Sequence, residues 1–315
     1  MNETKELIEK GYAKINIGLD VVGKRDDGYH EVSMVMQDLE LCDEVRIKVC
    51  TEGLSRQNLG VGVADGAGHG PQNINFYMDG ATSQSLINDA AGDNLAVKAA
   101  RLLFEKFDIK QDIDIHLTKN IPVAAGLAGG STDAAAVLRG VNKLFDLGLS
   151  TQELMELGVK LGADVPYCVM GGTALSEGIG EVLTPIKAVK DYFVLLAKPE
   201  VGISTPEAYR QIDSLTDSEH PDIKGMVEAI ESSDEDGMLS RMANLFEAVT
   251  LTARPEISEL KKLMESNGAL KSLMSGSGPT VFGFFEDEMA LDKAYNAVLV
   301  SALAKDVVKT KVRRQ

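Results

Sequence analysis

The chain has few of the residues that staple or metallate a small fold. Its three cysteines, Cys42, Cys50 and Cys168, show no CxxC spacing, which excludes a disulfide framework and a cysteine-based zinc site. The four histidines, His30, His69, His116 and His220, are scattered rather than paired at metal-ligand spacing, so no transition metal is implied. No apolar run approaches the ~20 residues needed to cross a bilayer. The N-terminal MNETKELIEKGYAK lacks both the apolar core of a signal peptide and the arginine-rich character of a transit peptide, so a cytoplasmic protein with no membrane partner is expected. Basic charge is also scarce. A net charge of −16 repels nucleic acid and anionic membranes, so a phosphate-bearing ligand must be gripped by a local device. GxxxxGK[ST], a GxGxxG after a strand and the protein-kinase signatures are all missing, as is any internal repeat.

What is present is a compact glycine- and alanine-rich segment, PVAAGLAGGSTD (122–133), directly before an apolar-periodic stretch. Ala134, Val137, Leu138, Val141, Leu144 and Phe145 recur at i, i+3, i+4 and i+7 and predict a helix with one apolar face. A loop of this kind running into a helix cradles anions. Glycines at 126, 129 and 130 accept backbone angles that turn successive N–H groups toward one point, and the helix adds its positive end. Alanine is less free, so Ala124 and Ala128 are expected in right-handed or extended geometry, with the unusual angles left to the three glycines. Ser131 and Thr132 stand at the mouth, as helix caps or as hydroxyls for a metal–phosphate complex. The same composition suits a small-residue turn that packs a helix closely on a sheet, and the segment alone does not decide between the two.

At 315 residues and 44% hydrophobic content the chain suits one large or two ordinary domains, with two lobes around a cleft as the expected arrangement. From Tyr12 to Val21 the sequence alternates, placing Ile15, Ile17, Leu19 and Val21 on one strand face and Lys14, Asn16, Gly18 and Asp20 on the other. DEVRIKV (43–49), DIDIHL (112–117), 172–177, FVLLA (193–197) and VFGFF (281–285) read as further strands. Asp93 or Asn94 caps a helix through Phe107, Ser150 with Glu153 makes a capping box, and helices are expected near 255–266 and around Leu291, Ala294, Tyr295, Val298 and Leu299. Residues 51–92, rich in Gly, Asn, Ser and Asp, read as an extended insertion or long loop. A second small-residue run, SGSGP (275–279), suits either a partner for the first loop or a tight turn before a strand.

PVAAGLAGGSTDAAA, with the early AKIN strand and the late SGSGP, resembles the GHMP kinases. AKINIGLDVVGKRDDGYHEV (13–32), LGADVPYCVMGGTALSEGIGEVL (161–183) and GISTPEAY (202–209) resemble more closely the branch that phosphorylates the 2-hydroxyl of 4-diphosphocytidyl-2-C-methyl-D-erythritol with ATP, in the non-mevalonate route to isoprenoid precursors. The resemblance covers nearly the whole chain except 51–92. It implies an α+β, two-lobed fold. The N-terminal ATP-binding α/β lobe (1–175, with an insertion at about 51–92) would be like ribosomal protein S5 domain 2, and the C-terminal lobe (176–315) would be ferredoxin-like, with the active site in the cleft between them.

The resemblance also assigns roles. Pro122, Val123, Ala124, Ala125, Gly126, Leu127, Ala128, Gly129, Gly130, Ser131 and Thr132 would bind ATP, with Mg²⁺ arriving on the nucleotide and meeting Ser131 or Thr132. Lys14 and Asp164 would be catalytic, the carboxylate taking the proton of the acceptor hydroxyl and the ammonium stabilising charge on the moving phosphoryl group. Asn16 would contact substrate, Tyr29 and Tyr209 would stack on cytosine, His30 would read its edge, and Thr205 would touch the same ligand. Apart from the resemblance, Lys14 suits a solvated strand lysine and Asp164 a helix or turn cap. The expected partner is a small molecule, with no nucleic acid, and the chain is expected to be a monomer or homodimer. Another GHMP kinase, or a non-catalytic nucleotide-binding relative, is the alternative.

Overall fold

A computed structural model describes residues 5–50, 62–63, 74–80, 94–215 and 219–314. The elements begin with β1 (Glu6–Lys24), β2 (His30–Val49), β3 (Gly62–Val63), β4 (Ile74–Asp79), α1 (Leu95–Phe107), β5 (Ile113–Thr118) and α2 (Gly129–Leu144). They continue with α3 (Thr151–Val159), α4 (Val165–Met170), β6 (Thr173–Glu177), β7 (Val182–Pro185), β8 (Phe193–Lys198) and α5 (Thr205–Ile212). The chain closes with α6 (Ile223–Ser232), α7 (Glu235–Arg241), α8 (Glu247–Ala253), α9 (Pro255–Ser266), β9 (Lys271–Met274), β10 (Val281–Phe285), α10 (Glu288–Ser301) and β11 (Asp306–Lys311).

One compact unit comprises Met1–Ala13, Cys42–Val123 and Ala128–Met170. In it β5 pairs antiparallel with β2, Val45 opposite Leu117, and parallel with β4, Phe76 opposite Ile115. Strand alternation puts Val45, Ile47, Phe76, Ile113, Ile115 and Leu117 on one buried face. Helices α1 and α2 cover that face with Ala96, Val97, Ala100 and Leu103 and with Ala134, Val137, Leu138 and Val141 in one apolar cluster. The small residues of α2 allow close approach. A Cβ on Gly140 would lie 2.6 Å from Ile47 Cδ1, and one on Gly11 of β1 would lie 2.8 Å from the Thr132 carbonyl oxygen. The Asn94 side chain caps α1 at the Ala96 N–H, and Ser150 and Glu153 form the expected capping box on α3. Asp93, the other candidate cap, lies outside the described residues.

The reading of 51–92 as an extended loop is corrected at Ile74–Asp79, which is a sheet strand. Its flanks carry turn-forming residues, and what makes it a strand is a parallel ladder with the distant β5, which no local pattern announces. Apart from 62–63, 74–80 and the sheet pairing of β3 with β4, that segment lies outside the described residues.

The second unit comprises Lys14–Leu41, Ala124–Leu127 and Gly171–Gln315. Here β2 pairs antiparallel with β6, which pairs with β7. A separate antiparallel sheet has the order β11-β8-β10-β9. VFGFF is buried throughout, with α9 and α10 packed against this sheet through Ile257, Leu260, Met264, Leu291, Ala294 and Val298. Leu299, expected on that apolar stripe, is exposed instead. The expected 12–21 strand extends to 6–24, and its polar residues are not solvent-facing: Lys14, Asn16 and Asp20 are all buried. Among the described residues no helix is long and apolar enough to cross a membrane.

Candidate active site

The glycine loop takes a shape different from the one its composition suggests. Positive φ occurs at Ala124 (50°), Gly126 (74°) and Ala128 (57°), so left-handed residues alternate along the loop. Gly129 and Gly130 are instead the first residues of α2, with Ala128 at the N-cap position. This corrects the expectation that the alanines avoid φ > 0 and that Gly129 and Gly130 carry the unusual angles. Left-handed geometry costs an alanine about 1–2 kcal/mol, a strain that the surrounding structure must over-determine.

Gly126 is needed for a separate reason. A Cβ there would lie 2.3 Å from the Ser275 carbonyl oxygen, and Ser275 Oγ donates to the Gly126 carbonyl at 3.0 Å. The SGSGP run is thus a partner for this part of the loop. Asn244 holds it in turn, its Nδ2 donating to the carbonyls of Met274 and Gly276 at 2.7 and 2.8 Å.

Among the described residues no side chain caps α2, and no acidic residue occupies its first turn. Its leading amides therefore remain the donors that a helix start leaves without intrahelical partners. Gly130 keeps them uncovered, since a Cβ there would meet only Leu95 Cδ1 at 3.5 Å. The two hydroxyls differ. Thr132 is buried and donates to the Gly129 carbonyl at 2.8 Å, whereas Ser131 is half-buried. Neither side chain caps the helix, contrary to that alternative. Among the described residues no cluster of three or more His, Cys, Asp or Glu could hold a metal ion.

A buried charge cluster that sequence reasoning missed adjoins the start of α2. Lys119 Nζ donates to Asp43 Oδ2 and, at 2.7 Å, to Asp133 Oδ2. Asp43 Oδ1 accepts from the backbone N–H groups of Asn120 and Ile121, at 2.6 and 2.9 Å. Burial holds the Asp133 carboxyl well above the ordinary carboxylate range, against the opposing pull of Lys119. Burial also opposes charge on Lys119, but Asp133 and Asp43 outweigh it and raise the ammonium's pKa.

On β1, Lys14 and Asn16 point the same way, as their two-residue spacing requires, and Lys14 Nζ donates to Asn16 Oδ1 at 2.8 Å. Asn16 Nδ2 in turn faces Met34 Sδ at 3.3 Å. The backbone N–H of Lys14 bonds the Leu127 carbonyl at 3.2 Å, tying β1 to the glycine loop. Asp164, half-buried, immediately precedes α4, and its carbonyl accepts from the Cys168 N–H at 3.0 Å.

The remaining candidates fall in three places. His30 stacks on Tyr209 with ring centroids 4.5 Å apart, and Tyr209 in turn meets Phe246 edge-on at 5.0 Å. His30 Nε2 is 2.6 Å from Asp213 Oδ1, and Lys24 donates to Asp213 Oδ2 at 2.5 Å. These hydrogen bonds, Lys24 first and His30 second, hold the Asp213 carboxyl below its ordinary range. Tyr29 is 60% exposed. Thr205, at the start of α5, shares a 2.8 Å hydroxyl–hydroxyl bond with Ser277 of the SGSGP turn.

The family model for the N-terminal domain of GHMP kinases matches residues 94–172, and the model for their C-terminal domain matches 226–304. The fold and the glycine loop are therefore those of a GHMP kinase. The chain is 44% identical over 302 residues to a 4-diphosphocytidyl-2-C-methyl-D-erythritol kinase of Lachnoclostridium phytofermentans, covering 96% of each chain. It is 43% identical to one of Bacillus subtilis over 93% of this chain and 92% of the other. A crystal structure of 4-(cytidine 5'-diphospho)-2C-methyl-D-erythritol kinase superposes with a TM-score of 0.77 at 26% identity, covering 98% of this chain and all of that one. Homoserine kinase from Cytophaga hutchinsonii shares the fold, with a TM-score of 0.75 at 18% identity over 100% and 97% of the two chains. Within the GHMP kinases, this chain belongs to the 4-diphosphocytidyl-2-C-methyl-D-erythritol kinase family.

Proposed function

We propose that the chain transfers the γ-phosphoryl group of ATP to the 2-hydroxyl of 4-diphosphocytidyl-2-C-methyl-D-erythritol, giving the 2-phosphate and ADP in the non-mevalonate route to isoprenoid precursors. The observation that carries the phosphate end of this reading is the alternating left-handed loop at 124, 126 and 128, which runs into a helix start that no side chain among the described residues caps. Residues 122–132 receive the ATP phosphates there. Magnesium borne on those phosphates would take Ser131 Oγ as a protein contact and supply charge neutralisation. The two family matches support assigning the ATP-binding domain to residues 1–175 and the C-terminal domain to 176–315.

Lys14 and Asp164 serve the acceptor hydroxyl: the Asp164 carboxylate takes its proton and the Lys14 ammonium offsets charge on the transferring group. The bond to Asn16 supports this role, because it fixes a buried ammonium in one rotamer. Tyr29, His30, Thr205 and Tyr209 bind the cytidine diphosphate part. The Asp213 carboxylate can only accept, so His30 Nε2 donates to it and the imidazole is held in one orientation for reading the base edge. Measuring ADP release with the cytidyl substrate beside galactose, homoserine and mevalonate tests the assignment. Turnover confined to the cytidyl substrate is expected, and preference for another alcohol would overturn it.

A further inference from the structure

Three ionisable side chains are sealed from solvent beside the start of α2: Lys119 and Asp133 are 3% exposed and Asp43 is fully buried. They come from three places, Asp43 from β2, Lys119 from the residue after β5, and Asp133 from α2. Apolar residues of similar volume often fill such a space with equal or better stability, so stability alone is a weak reason for the arrangement. Its position is more telling. A Cβ on Gly129 would lie 3.4 Å from Lys119 Nζ, so the ammonium rests against the first helical residue of α2 with no side chain between them. Asp43 also grips the backbone of Asn120 and Ile121, the two residues that lead from Lys119 to Pro122 and the loop.

On the reading of 122–132 as the ATP-phosphate loop, we infer that Lys119 is its positioning residue: bridged to Asp43 and Asp133, it fixes the first turn of α2 against the segment leaving β5 and sets a positive charge beside the amides that receive phosphate. The opposite carboxylate oxygen, Asp133 Oδ1, has no hydrogen-bond partner among the described residues, so the polar hold on this side chain runs through Lys119. The three groups are electrostatically linked: burial raises the pKa of Asp133 against the pull of Lys119, and Asp133 and Asp43 raise that of Lys119 against its burial.

The test compares ligands that do and do not reach the phosphate site. Full-length Lys119→Met, Asp133→Ala, Asp133→Asn and Gly130→Val are titrated calorimetrically with ADP and with adenosine, and KM is measured for ATP and for the cytidyl substrate. Lys119→Met is expected to weaken ADP by about tenfold while adenosine and the cytidyl substrate stay within about twofold. Asp133→Ala should act in the same direction, and Asp133→Asn, which keeps an acceptor for Lys119, should restore ADP binding. Equal weakening of ADP and adenosine, or no weakening in a folded Lys119→Met, overturns the role. If that variant does not fold, Asp133→Ala decides by the same comparison. Gly130→Val separates the two levels, because its added side chain meets little protein. If it weakens ADP and Lys119→Met does not, only the positioning role falls; if it too leaves ADP unaffected, the loop assignment falls and the role with it.

Discussion

His30 and Tyr209 lie face to face, their planes 21° from parallel, so one face of the Tyr209 ring is already covered by an imidazole. Tyr29, by contrast, is an exposed residue. In the proposed cytosine site, with Tyr29 and Tyr209 as its two walls, Tyr29 would therefore offer the open stacking surface, and the face of Tyr209 that His30 covers would not be available to the base.

Tyr29→Ala should therefore weaken the cytidyl substrate by roughly 1–3 kcal/mol, about five- to 150-fold, while Tyr29→Phe costs much less because stacking needs the ring and not the hydroxyl. His30→Ala should bring cytidine and uridine forms of the substrate closer in affinity, since edge hydrogen bonds distinguish the bases and stacking does not. Calorimetry with CDP and UDP checks both. Equal binding of the two by the unaltered chain would remove the cytosine site.

Lys14→Met and Asp164→Asn should each lower kcat by about 10²-fold or more and leave KM for the cytidyl substrate nearly unchanged, as expected of groups that act on the transferring phosphoryl group and its acceptor. Lys14→Met also strands buried Asn16 Oδ1, a loss of about 1–3 kcal/mol, so thermal unfolding should be recorded beside turnover. Near-normal kcat in either variant would remove its assigned role.

The loop makes opposite demands on neighbouring positions. Gly126→Ala should lower stability by about 2 kcal/mol or more, because its methyl group meets the Ser275 carbonyl and its φ of 74° suits glycine. Ala128→Gly should raise stability by up to about 1 kcal/mol, since relief of left-handed strain exceeds the added freedom of the unfolded chain. Urea denaturation measures both. Equal losses would show that the alanine geometry is unstrained.

Asp133 makes stability depend on pH. Its folded pKa is raised, so its contribution is complete below the unfolded carboxylate value of about 3.9 and is lost as pH rises through the folded value. Asp133→Asn stays neutral throughout. Its stability relative to the parent should grow with pH above about 4, by as much as about 1.4 kcal/mol per pH unit until the folded pKa is passed. Denaturation curves at acid and mildly alkaline pH test this, and a pH-independent difference would rule it out.

Local signals were legible wherever the chain caps or alternates on its own account. Asn94, the Ser150–Glu153 box and the runs at 43–49, 193–197 and 281–285 identify their elements correctly. Ile74–Asp79 was illegible because its ladder partner is almost forty residues away, and β11 likewise depends on pairing with the distant β8. At the site, the glycine loop and the proximity of Lys14 to Asn16 could be read from spacing. The left-handed alanines could not, since intrinsic preference argues against them and the folded surroundings prevail. Nor could the Lys119 cluster, because burial of those charges is decided by three separate segments meeting, and the sequence around each one suits an ordinary surface residue.

The alanines at 124 and 128 also bear on nucleotide binding. A loop with glycine at both positions would sample many backbone shapes and would have to lose that freedom each time a phosphate arrived. Methyl groups at left-handed positions narrow the search beforehand, so the ordering entropy is met during folding rather than at every catalytic cycle. The strain that makes Ala128 a poor choice for stability thereby makes it a good one for a receptor that must be ready before its ligand appears.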